Sequence, residues 1–294
     1  MNKVLVTGGK GQLGSELKEL APKYQQYQFI FTDMETLDIC NHQAVANFID
    51  KNSINTIINC AAYTAVDRAE EHFELADKVN HLAVANFAKI AKEKSLQLVH
   101  ISTDYVFDGT NHKPYTESDT PNPQSVYGQT KLDGELAIQK INPQNSMIIR
   151  TSWVYSKFGN NFVKTMLKLG SERDELSIVA DQIGTPTYAA DLAKAIVSII
   201  PQIKNEVVEV YHYSNEGVCS WYDFANAIFE ISEIDLKVTP IESKAYPTPA
   251  ERPFYSVLNK TKIKEKFELD IPYWKKSLEK QILLNDLEKY KNKD

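Results

Sequence analysis

The stretch Val4-Leu-Val-Thr-Gly-Gly-Lys-Gly-Gln-Leu-Gly14, near the start of the chain, decides the fold. Residues 3–7 predict a short buried strand and residues 12–20 predict a helix, and three glycines lie around the turn between them: Gly8, Gly11 and Gly14. Glycines at such a turn let the backbone bend sharply and let a pyrophosphate reach main-chain N–H groups at the start of the helix. The stretch therefore predicts a turn that binds a dinucleotide.

An acidic residue stands at the position where such a turn would use one. Residues 29–32 predict a second strand, which is followed by Asp33, about 20 residues beyond the glycines. A carboxylate there can accept hydrogen bonds from a ribose 2′-OH and repels a 2′-phosphate, so Asp33 favours NADH. Two alternatives remain open. Lys10 offsets part of the repulsion, which keeps NADPH as a candidate cofactor, and Asp33 also fits a solvated loop carboxylate.

Strands and helices alternate over about the first 150 residues. Beyond the first unit, apolar runs predict strands at residues 56–60, 96–102 and 147–151. Apolar residues at helical spacing predict helices at residues 44–51, 74–94 and 125–140. This alternation predicts an α/β fold with a doubly wound parallel Rossmann sheet, in which working groups follow the carboxyl ends of strands.

The alternation loosens after Trp153, which predicts a second, smaller α/β lobe that binds the substrate. We expect residues 1–153 to form the dinucleotide-binding domain, with residues 188–203 returning to it, and residues 154–294 to form the substrate lobe. Within that lobe, residues 207–213 are expected to be extended, and residues 240–253, which hold four of the twelve prolines, to be largely irregular.

Composition restricts the class of protein. The chain has 294 residues, a formal net charge of −6 and 43% hydrophobic residues, which is typical of a globular protein of one or two domains. The acidic balance argues against nucleic acid or an anionic membrane as a partner, and no run approaches the roughly 20 apolar residues of a membrane span. Because a signal-peptide pattern is also missing, we expect a cytoplasmic protein. The scattered cysteines and histidines predict neither disulfides nor a metal site.

Tyr127 and Lys131 lie four residues apart near the start of a predicted helix, so they share one of its faces. A tyrosine has an unperturbed pKa of about 10, and a neighbouring cation would lower that pKa toward the range where general acid–base catalysis is effective. Thr103 follows the preceding predicted strand, where its hydroxyl can hydrogen-bond to a substrate oxygen. The three side chains together predict a site that acts on a carbonyl group, whereas Tyr127 and Lys131 alone would also fit a pair on a helix surface.

The order of these features resembles the short-chain dehydrogenase/reductase superfamily, and the glycine turn is similar to that of its extended branch, which modifies sugar nucleotides. Five segments are similar to the dTDP-4-dehydrorhamnose reductase family: residues 59–67, 102–109, 150–155, 159–163 and 181–187. The resemblance covers most of the first 200 residues and thins after about Val218. It implies reduction, by NADH or NADPH, of the C4 ketone of dTDP-4-dehydro-L-rhamnose to dTDP-L-rhamnose.

The resemblance also implies roles for individual residues. Tyr127 would protonate the developing alkoxide, Lys131 would lower the pKa of Tyr127 and hold the nicotinamide ribose, and Thr103 would polarise the ketone. The residues implied to bind the cofactor are Gly8, Gly11, Gln12, Leu13, Gly14, Asp33, Asp38, Ile39, Ala61, Ala62, Tyr63, Tyr127 and Lys131. Those implied to bind the substrate are Thr103, Asp104, Tyr105, Val106, Phe107, Trp153 and Arg252, of which Arg252 also fits a solvated surface arginine.

Several alternatives stay open at this point. The resemblance implies that some family members bind magnesium through carboxylates at a dimer interface, but the sequence assigns no such carboxylates here, and a homodimer remains one option for the oligomeric state. Another sugar-nucleotide reductase, an epimerase or a dehydratase of the same superfamily is an alternative activity, although a dehydratase usually has an acidic pair where Thr103-Asp104-Tyr105 supplies one acid. A non-catalytic regulatory relative is a third alternative, against which the intact Thr103, Tyr127 and Lys131 argue.

Overall fold

The structure, a computed structural model, describes residues 1–291, with side chains as far as residue 284. In its first half the elements are β1 (Asn2–Thr7), α1 (Gln12–Leu20), β2 (Tyr27–Phe31), α2 (His42–Asn52), β3 (Thr56–Asn59), α3 (Val66–Ala69), α4 (Phe73–Asp77), α5 (Ala83–Glu93), β4 (Gln97–Thr103), α6 (Val126–Ile141) and β5 (Ser146–Thr151). In its second half they are β6 (Val154–Tyr155), α7 (Phe162–Glu172), β7 (Glu175–Val179), β8 (Ile183–Gly184), β9 (Thr187–Tyr188), α8 (Ala189–Ile199), β10 (Glu209–His212), β11 (Cys219–Ser220), α9 (Trp221–Ile231), β12 (Lys237–Ile241), α10 (Thr261–Phe267) and α11 (Trp274–Lys291).

Six strands form one parallel sheet in the order β10-β5-β4-β3-β1-β2. In the centre of the sheet, Val4 of β1 is paired with Phe29 of β2 on one side and with Thr56 of β3 on the other. The strand order reverses at β1, so the glycine turn that follows this strand opens at the switch point where such sheets bind ligands. The prediction of a doubly wound parallel sheet is confirmed.

Helices cover both faces of this sheet. Successive residues of a strand point to opposite faces. Val4 packs with Leu17 of α1 and Leu192 of α8, while its neighbour Leu5 packs with Phe87 of α5. All five side chains are buried, which explains why the strands read as continuous apolar runs rather than as alternating ones.

Part of the expected substrate lobe belongs to the first domain instead. The strand β10 pairs with β5 in parallel register, for example Val210 with Ile148, and α10 buries Ile263 and Phe267 in the core that α1 and α8 cover. The expectation that residues 154–294 form the substrate lobe is therefore wrong for β10 and α10. The physical reason is that β10 gives hydrogen-bond partners to the edge of β5, which would otherwise be exposed.

The second lobe has its own hydrophobic core, built mainly from β6, α7, α9 and α11. Tyr155, Phe224, Trp274 and Leu278 are buried together there. The strands β7 and β12 form a separate two-stranded parallel sheet, which includes Pro240 opposite Ile178. An edge strand tolerates proline, so the irregular segment expected at residues 240–253 begins slightly later than the sequence indicates.

The helix expected at residues 74–94 contains an irregular turn. Between α4 and α5 the chain forms a π-helical turn, Lys78–Leu82, whose Asn80 side chain is fully buried. Turns of this kind occur often at functional sites. Within residues 1–291, no helix is both long enough and apolar enough to cross a membrane.

Candidate active site

The glycine turn is packed so tightly that it leaves no room for a Cβ atom at Gly8 or Gly14. Gly8 has a φ of +67°, and a Cβ atom on it would lie 2.8 Å from the backbone nitrogen of Ala61. A Cβ on Gly14 would collide with the carbonyl oxygen of Gly8. Gly11 is the N-cap of α1 and contributes no capping side chain, so main-chain N–H groups are left at the start of the helix. This turn fits a pyrophosphate, as the sequence predicts.

Gln12 and Leu13, which follow this turn, have different surroundings. Leu13 is buried in the core under α1. The Gln12 side chain donates to the carbonyl oxygen of Val154 at 3.2 Å and accepts from Asn161 at 2.9 Å. Gln12 therefore ties the turn to the start of the second lobe, a contact that the sequence does not reveal.

Asp33 lies at the end of β2 beside the turn, where it already has a cationic neighbour. Its carboxylate is 3.2 Å from the Lys10 ammonium and accepts from the Glu35 backbone N–H at 3.0 Å. Desolvation raises the pKa of Asp33, but the hydrogen bonds from Lys10 and Glu35 outweigh it, so the pKa is lowered overall. In the loop that follows, Asp38 accepts from the Cys40 N–H at 2.9 Å and Ile39 packs against the α2 core.

The loop after β3, with Ala61, Ala62 and Tyr63, is held by the π-helical turn. Asn80 accepts from the Tyr63 backbone N–H at 2.8 Å and donates to the Tyr63 carbonyl oxygen at 3.1 Å. It also donates to the Thr130 hydroxyl of α6 at 3.2 Å. Asn80 thus positions a loop implied to bind the cofactor. Sequence reasoning missed it, because in the helical pattern it reads as an ordinary polar residue.

Tyr127 and Thr103 come together at the carboxyl edge of the sheet. Thr103 ends β4, Tyr127 lies in the first turn of α6, and the rings of Tyr127 and Tyr105 meet edge to face with centroids 5.5 Å apart. Burial raises the pKa of Tyr127 to about 12, which the Thr103 hydroxyl opposes and the Asp104 carboxyl reinforces. The phenol is therefore protonated at neutral pH.

The effect of Lys131 on the pKa of Tyr127 stays a prediction, because burial is the main cause of the Tyr127 shift in this structure. The Lys131 side chain is 1% exposed, and its Nζ donates to the carbonyl oxygen of Ile101 at 2.6 Å, which directs the amine toward β4. Burial lowers the pKa of Lys131 to about 8, and Glu135 partly opposes that shift. The i, i+4 spacing predicts the shared helix face, but it does not predict which neighbour the amine chooses.

Asp104 is a buried carboxyl group beside Thr103. It is 2% exposed, accepts from the Thr103 hydroxyl at 3.1 Å, and has no hydrogen-bond partner within reach of its Oδ2. Burial raises its pKa to about 6, against the effect of the Ser256 and Thr103 hydroxyls. The Ser256 hydroxyl, which sequence reasoning missed, lowers the pKa of this carboxyl from a position 152 residues along the chain, although Oδ2 itself stays without a hydrogen-bond partner.

Trp153, which the resemblance implies to bind the substrate, has a strained backbone conformation. Its φ is +47°, a region that bulky residues rarely adopt. Its ring stacks on that of Trp221 with centroids 3.5 Å apart and an interplanar angle of 9°. A Cβ atom on Gly184 would lie 2.7 Å from the Trp153 ring, so the position of the ring depends on that glycine.

Two residues expected in the sugar pocket are not there. The side chains of Val106 and Phe107 are 0% and 1% exposed and pack with Tyr115, Leu132 and Leu258. The expectation that they line the pocket is therefore wrong for their side chains. The apolar run at residues 105–107 is split between two environments, because its two later residues belong to a small core beside α6.

Arg252 reaches the site from the second lobe and is bound by a carboxylate. Its guanidinium pairs with both oxygens of Asp67, at 3.0 and 2.8 Å, and also donates to the Ala250 carbonyl oxygen. Although burial lowers the pKa of Arg252, the Asp67 hydrogen bond outweighs it and raises the pKa overall. Asp67, the last residue of the segment 59–67, is a partner that sequence reasoning missed.

A separate group of potential metal ligands lies where α4 and the π-helical turn pack against α6. Asp77, His81 and Asp133 converge there, with His81 Nδ1 2.8 Å from Asp77 Oδ1. The sequence shows no such clustering, because the π-helical turn and the packing of α6 create it. Lys89 and Lys140 line the same open depression, so the local charge is mixed.

The structure has a parallel sheet with a glycine turn at its switch point, and a Tyr-x-x-x-Lys helix beside a threonine that ends a strand. This is the arrangement of a short-chain dehydrogenase/reductase, a class of nicotinamide-dependent oxidoreductases. The chain belongs to the RmlD substrate binding domain family, whose model matches residues 1–286. A relative described as dTDP-4-dehydrorhamnose reductase, from Aggregatibacter actinomycetemcomitans, is 42% identical over 287 residues, which are 95% of this chain and 97% of that protein.

Solved structures agree with this assignment. A dTDP-4-dehydrorhamnose reductase from Clostridium acetobutylicum superposes with a TM-score of 0.91 at 45% identity and covers 97% of this chain and 99% of its own. A dTDP-4-dehydrorhamnose reductase from Bacillus anthracis, solved in complex with NADP, gives a TM-score of 0.91 at 40% identity, with 96% and 99% covered. The resemblance found in the sequence is confirmed.

Proposed function

We propose that this chain reduces the C4 ketone of dTDP-4-dehydro-L-rhamnose to dTDP-L-rhamnose with NADH or NADPH. The observation that carries the proposal is the half-buried Tyr127 phenol beside Thr103, at the sheet edge that the glycine turn opens. The family and the names of relatives about 40% identical over nearly the whole chain support the substrate.

In the proposed reaction, this chain supplies the proton and the polarising groups. A reduced nicotinamide, when bound, supplies a hydride to the carbonyl carbon. Tyr127 donates its phenolic proton to the oxygen that becomes an alkoxide, and its pKa of about 12 keeps that proton available at neutral pH. The Thr103 hydroxyl polarises the same oxygen. Lys131, one helical turn along α6, favours the resulting phenolate when it is cationic.

The remaining site residues are assigned to binding. Gly8, Gly11 and Gly14 hold the pyrophosphate by their backbone, and Asp33 lies where a ribose is expected. Lys10 and Asp33 place opposite charges at this corner, which suits either cofactor, and the NADP complex of the Bacillus anthracis relative supports NADPH. On the substrate side, Trp153 offers an apolar face and Arg252 a cation, while Asp104 and Tyr105 complete the wall near Tyr127.

The test supplies dTDP-4-dehydrorhamnose with NADH or NADPH and follows the absorbance of the reduced nicotinamide. We expect stoichiometric oxidation, and we expect Tyr127→Phe to lower kcat by roughly 10²- to 10⁴-fold, because that change deletes the proton donor alone. Tyr211→Phe is the matched control, since it removes a phenol hydroxyl from a buried tyrosine of β10, remote from the site. Full activity in Tyr127→Phe would remove Tyr127 from the proposed role.

Two other functions make different predictions in the same assay. An epimerase or dehydratase of the superfamily would convert a dTDP-sugar without net oxidation of added nicotinamide, and a regulatory relative would convert nothing. Either result would replace the proposal. The proposal also places the reaction in the cytoplasm, as the sequence predicts. It assigns no magnesium site.

A further inference from the structure

A buried chain of hydrogen bonds connects the cofactor loops to Lys131. It runs from Thr7 of β1 through Asn59 of β3 and His100 of β4 to Lys131 of α6. Its distances are 2.6 Å from Thr7 Oγ1 to Asn59 Oδ1, 3.0 Å from Asn59 Nδ2 to His100 Nδ1, and 3.4 Å from His100 Nε2 to Lys131 Nζ. All four side chains are at most 1% exposed. No step of the proposed mechanism explains why polar groups are buried here.

The orientation of the Asn59 amide sets the direction of each hydrogen bond. Its Oδ1 faces Thr7 Oγ1, so the Thr7 hydroxyl donates to Asn59 while it accepts from the Ala61 backbone N–H at 3.4 Å. The Asn59 amide must then present its NH₂ group to His100 Nδ1. Since Nδ1 accepts, the ring proton of neutral His100 resides on Nε2, which faces Lys131.

This tautomer discriminates between the two forms of Lys131. An ammonium has three donors and no acceptor, so it meets the Nε2–H of His100 donor to donor. A neutral amine has a lone pair that accepts that N–H while the amine still donates to Ile101. We propose that His100 is a positioning residue, oriented by Thr7 and Asn59, that shifts Lys131 toward its neutral form in the resting site. This proposal rests on the proposed function.

The two other titratable groups beside Lys131 favour its charged form. Glu135 on α6 and Cys60 at the end of β3 raise the pKa of Lys131, but burial dominates and lowers it. Glu135 also forms an ion pair with Arg150 of β5, with N–O distances between 2.6 and 3.1 Å. This pairing weakens the effect of the Glu135 charge on Lys131. Burial and the Lys131 charge hold the pKa of His100 well below its ordinary value, so the ring is neutral.

The consequence is that a change in the conformation of the cofactor loops alters the surroundings of Lys131 on α6. Thr7 directly precedes Gly8, and its hydroxyl accepts from Ala61, so both loops implied to hold the cofactor touch the first member of the chain. A change in that contact would alter the orientation of Asn59 and hence the group that His100 presents to Lys131. The proton affinity of Lys131 is thereby coupled to the cofactor site.

Asn59→Asp in the full chain is the decisive variant. It replaces one amide nitrogen by oxygen, still accepts from Thr7, and requires a proton on His100 Nδ1 instead. With ¹⁵N-labelled histidine and the His100 signals assigned by their loss in His100→Asn, we expect an Nε2–H tautomer in the unmodified protein and Nδ1–H in Asn59→Asp. An Nδ1–H tautomer in the unmodified protein would overturn the proposal.

The same signals report the protonation of Lys131 without substrate or cofactor. In a pH titration the His100 ring shifts change when the neighbouring amine loses its proton. In Asn59→Asp, Nε2 presents a lone pair and the new carboxylate adds a negative charge. Both favour the ammonium, so we expect this inflection to move up by roughly one pH unit. His212→Asn is the matched control, because it removes a buried imidazole whose Nε2 faces Arg150 instead, and should leave the inflection in place. An unmoved inflection in Asn59→Asp overturns the proposal.

Activity then shows whether the reaction uses this coupling. The basic limb of the kcat profile should move to higher pH in Asn59→Asp by about the same amount. If that variant does not fold, His100→Asn keeps an acceptor for Asn59, removes the N–H that faces Lys131, and should shift the basic limb in the same direction. A limb that stays in place in a folded, active variant contradicts the proposal. An inactive unmodified chain would refute the proposed function alone, since the tautomer and the inflection need no turnover.

Discussion

The cofactor side and the substrate side of the proposed site are built in different ways. On the cofactor side, short segments follow strands of one sheet, and the turn at Gly8 and Gly14 is closed by backbone atoms in contact. On the substrate side, groups far apart in the chain meet, and two of them are held at a cost: Asp104 is a buried carboxyl with an unpartnered oxygen, and Trp153 has a φ of +47°. The comparison indicates that local geometry suffices to build the turn proposed to bind a dinucleotide, whereas the groups proposed for the chemistry depend on tertiary packing that maintains unfavourable local states.

The largest expected effect tests whether the buried Asp104 carboxyl on the substrate side lowers the stability of the protein. The pKa of Asp104 rises from 3.8 to about 6 on folding, so its destabilising effect is absent below about pH 4 and appears as the pH rises through 6. Asp104→Asn should therefore raise the free energy of unfolding at pH 8, by up to about 3 kcal/mol at 1.36 kcal/mol per pKa unit, with no gain at pH 3.5. Urea denaturation at both pH values measures it.

Asp108→Asn provides the control of opposite sign. Hydrogen bonds, led by that from the Thr110 backbone, hold the pKa of Asp108 at about 2, so its contribution is present above pH 4 and is lost as the pH falls toward 2. This variant should lose stability at pH 8. A loss of similar size in Asp104→Asn would show that the substrate side carries no such cost.

The second expected effect tests the glycine turn. Gly14→Ala brings a methyl group against the Gly8 carbonyl oxygen, and we expect a loss of about 1–3 kcal/mol in unfolding free energy together with weaker binding of NADH and NADPH. Gly11→Ala is the milder control, because its Cβ would lie 3.1 Å from the same oxygen and its φ of −73° suits any residue. Equal effects of the two changes would remove the special role of Gly14.

The third expected effect concerns the Trp153 wall. Gly184→Ala must displace the Trp153 ring from Trp221, so we expect KM for the sugar nucleotide to rise roughly tenfold while the affinity for the cofactor is unchanged. Gly170→Ala crowds another aromatic ring in the same lobe, since its Cβ would lie 2.8 Å from Phe229, and should leave KM unaltered. Steady-state kinetics on both variants decide between a specific and a general effect.

The smallest expected effect is on cofactor preference. Asp33→Ala removes the carboxylate that repels a 2′-phosphate, so the ratio of kcat/KM for NADPH to that for NADH should rise a few-fold. Lys10→Ala removes the paired cation, which lies 3.2 Å away, and should move the ratio in the opposite direction. If Asp33→Ala leaves the preference unaltered, Asp33 does not read the ribose.

Much of the first domain is predictable because its signals are local. The strands around Val4 and Ile58 are buried on both faces, so they read as continuous apolar runs, and the glycines mark the turn between β1 and α1. The strand at residues 209–212 is equally visible as a strand, but nothing in its own residues reveals that it pairs with β5. Strand identity is local, whereas the partner of a strand is chosen by the whole sheet.

By itself, the sequence determined the class of fold, the glycine turn after β1, and the placement of Thr103 at the end of a strand and of Tyr127 and Lys131 on one helix face, since these follow from local spacing. Only the tertiary structure decided that Lys131 turns to Ile101 and His100, that Asp67 binds Arg252, and that Phe107 is in the core. The physical reason is that burial and hydrogen-bond choice depend on atoms distant in the chain, and these set both proton affinities and the shape of the pocket.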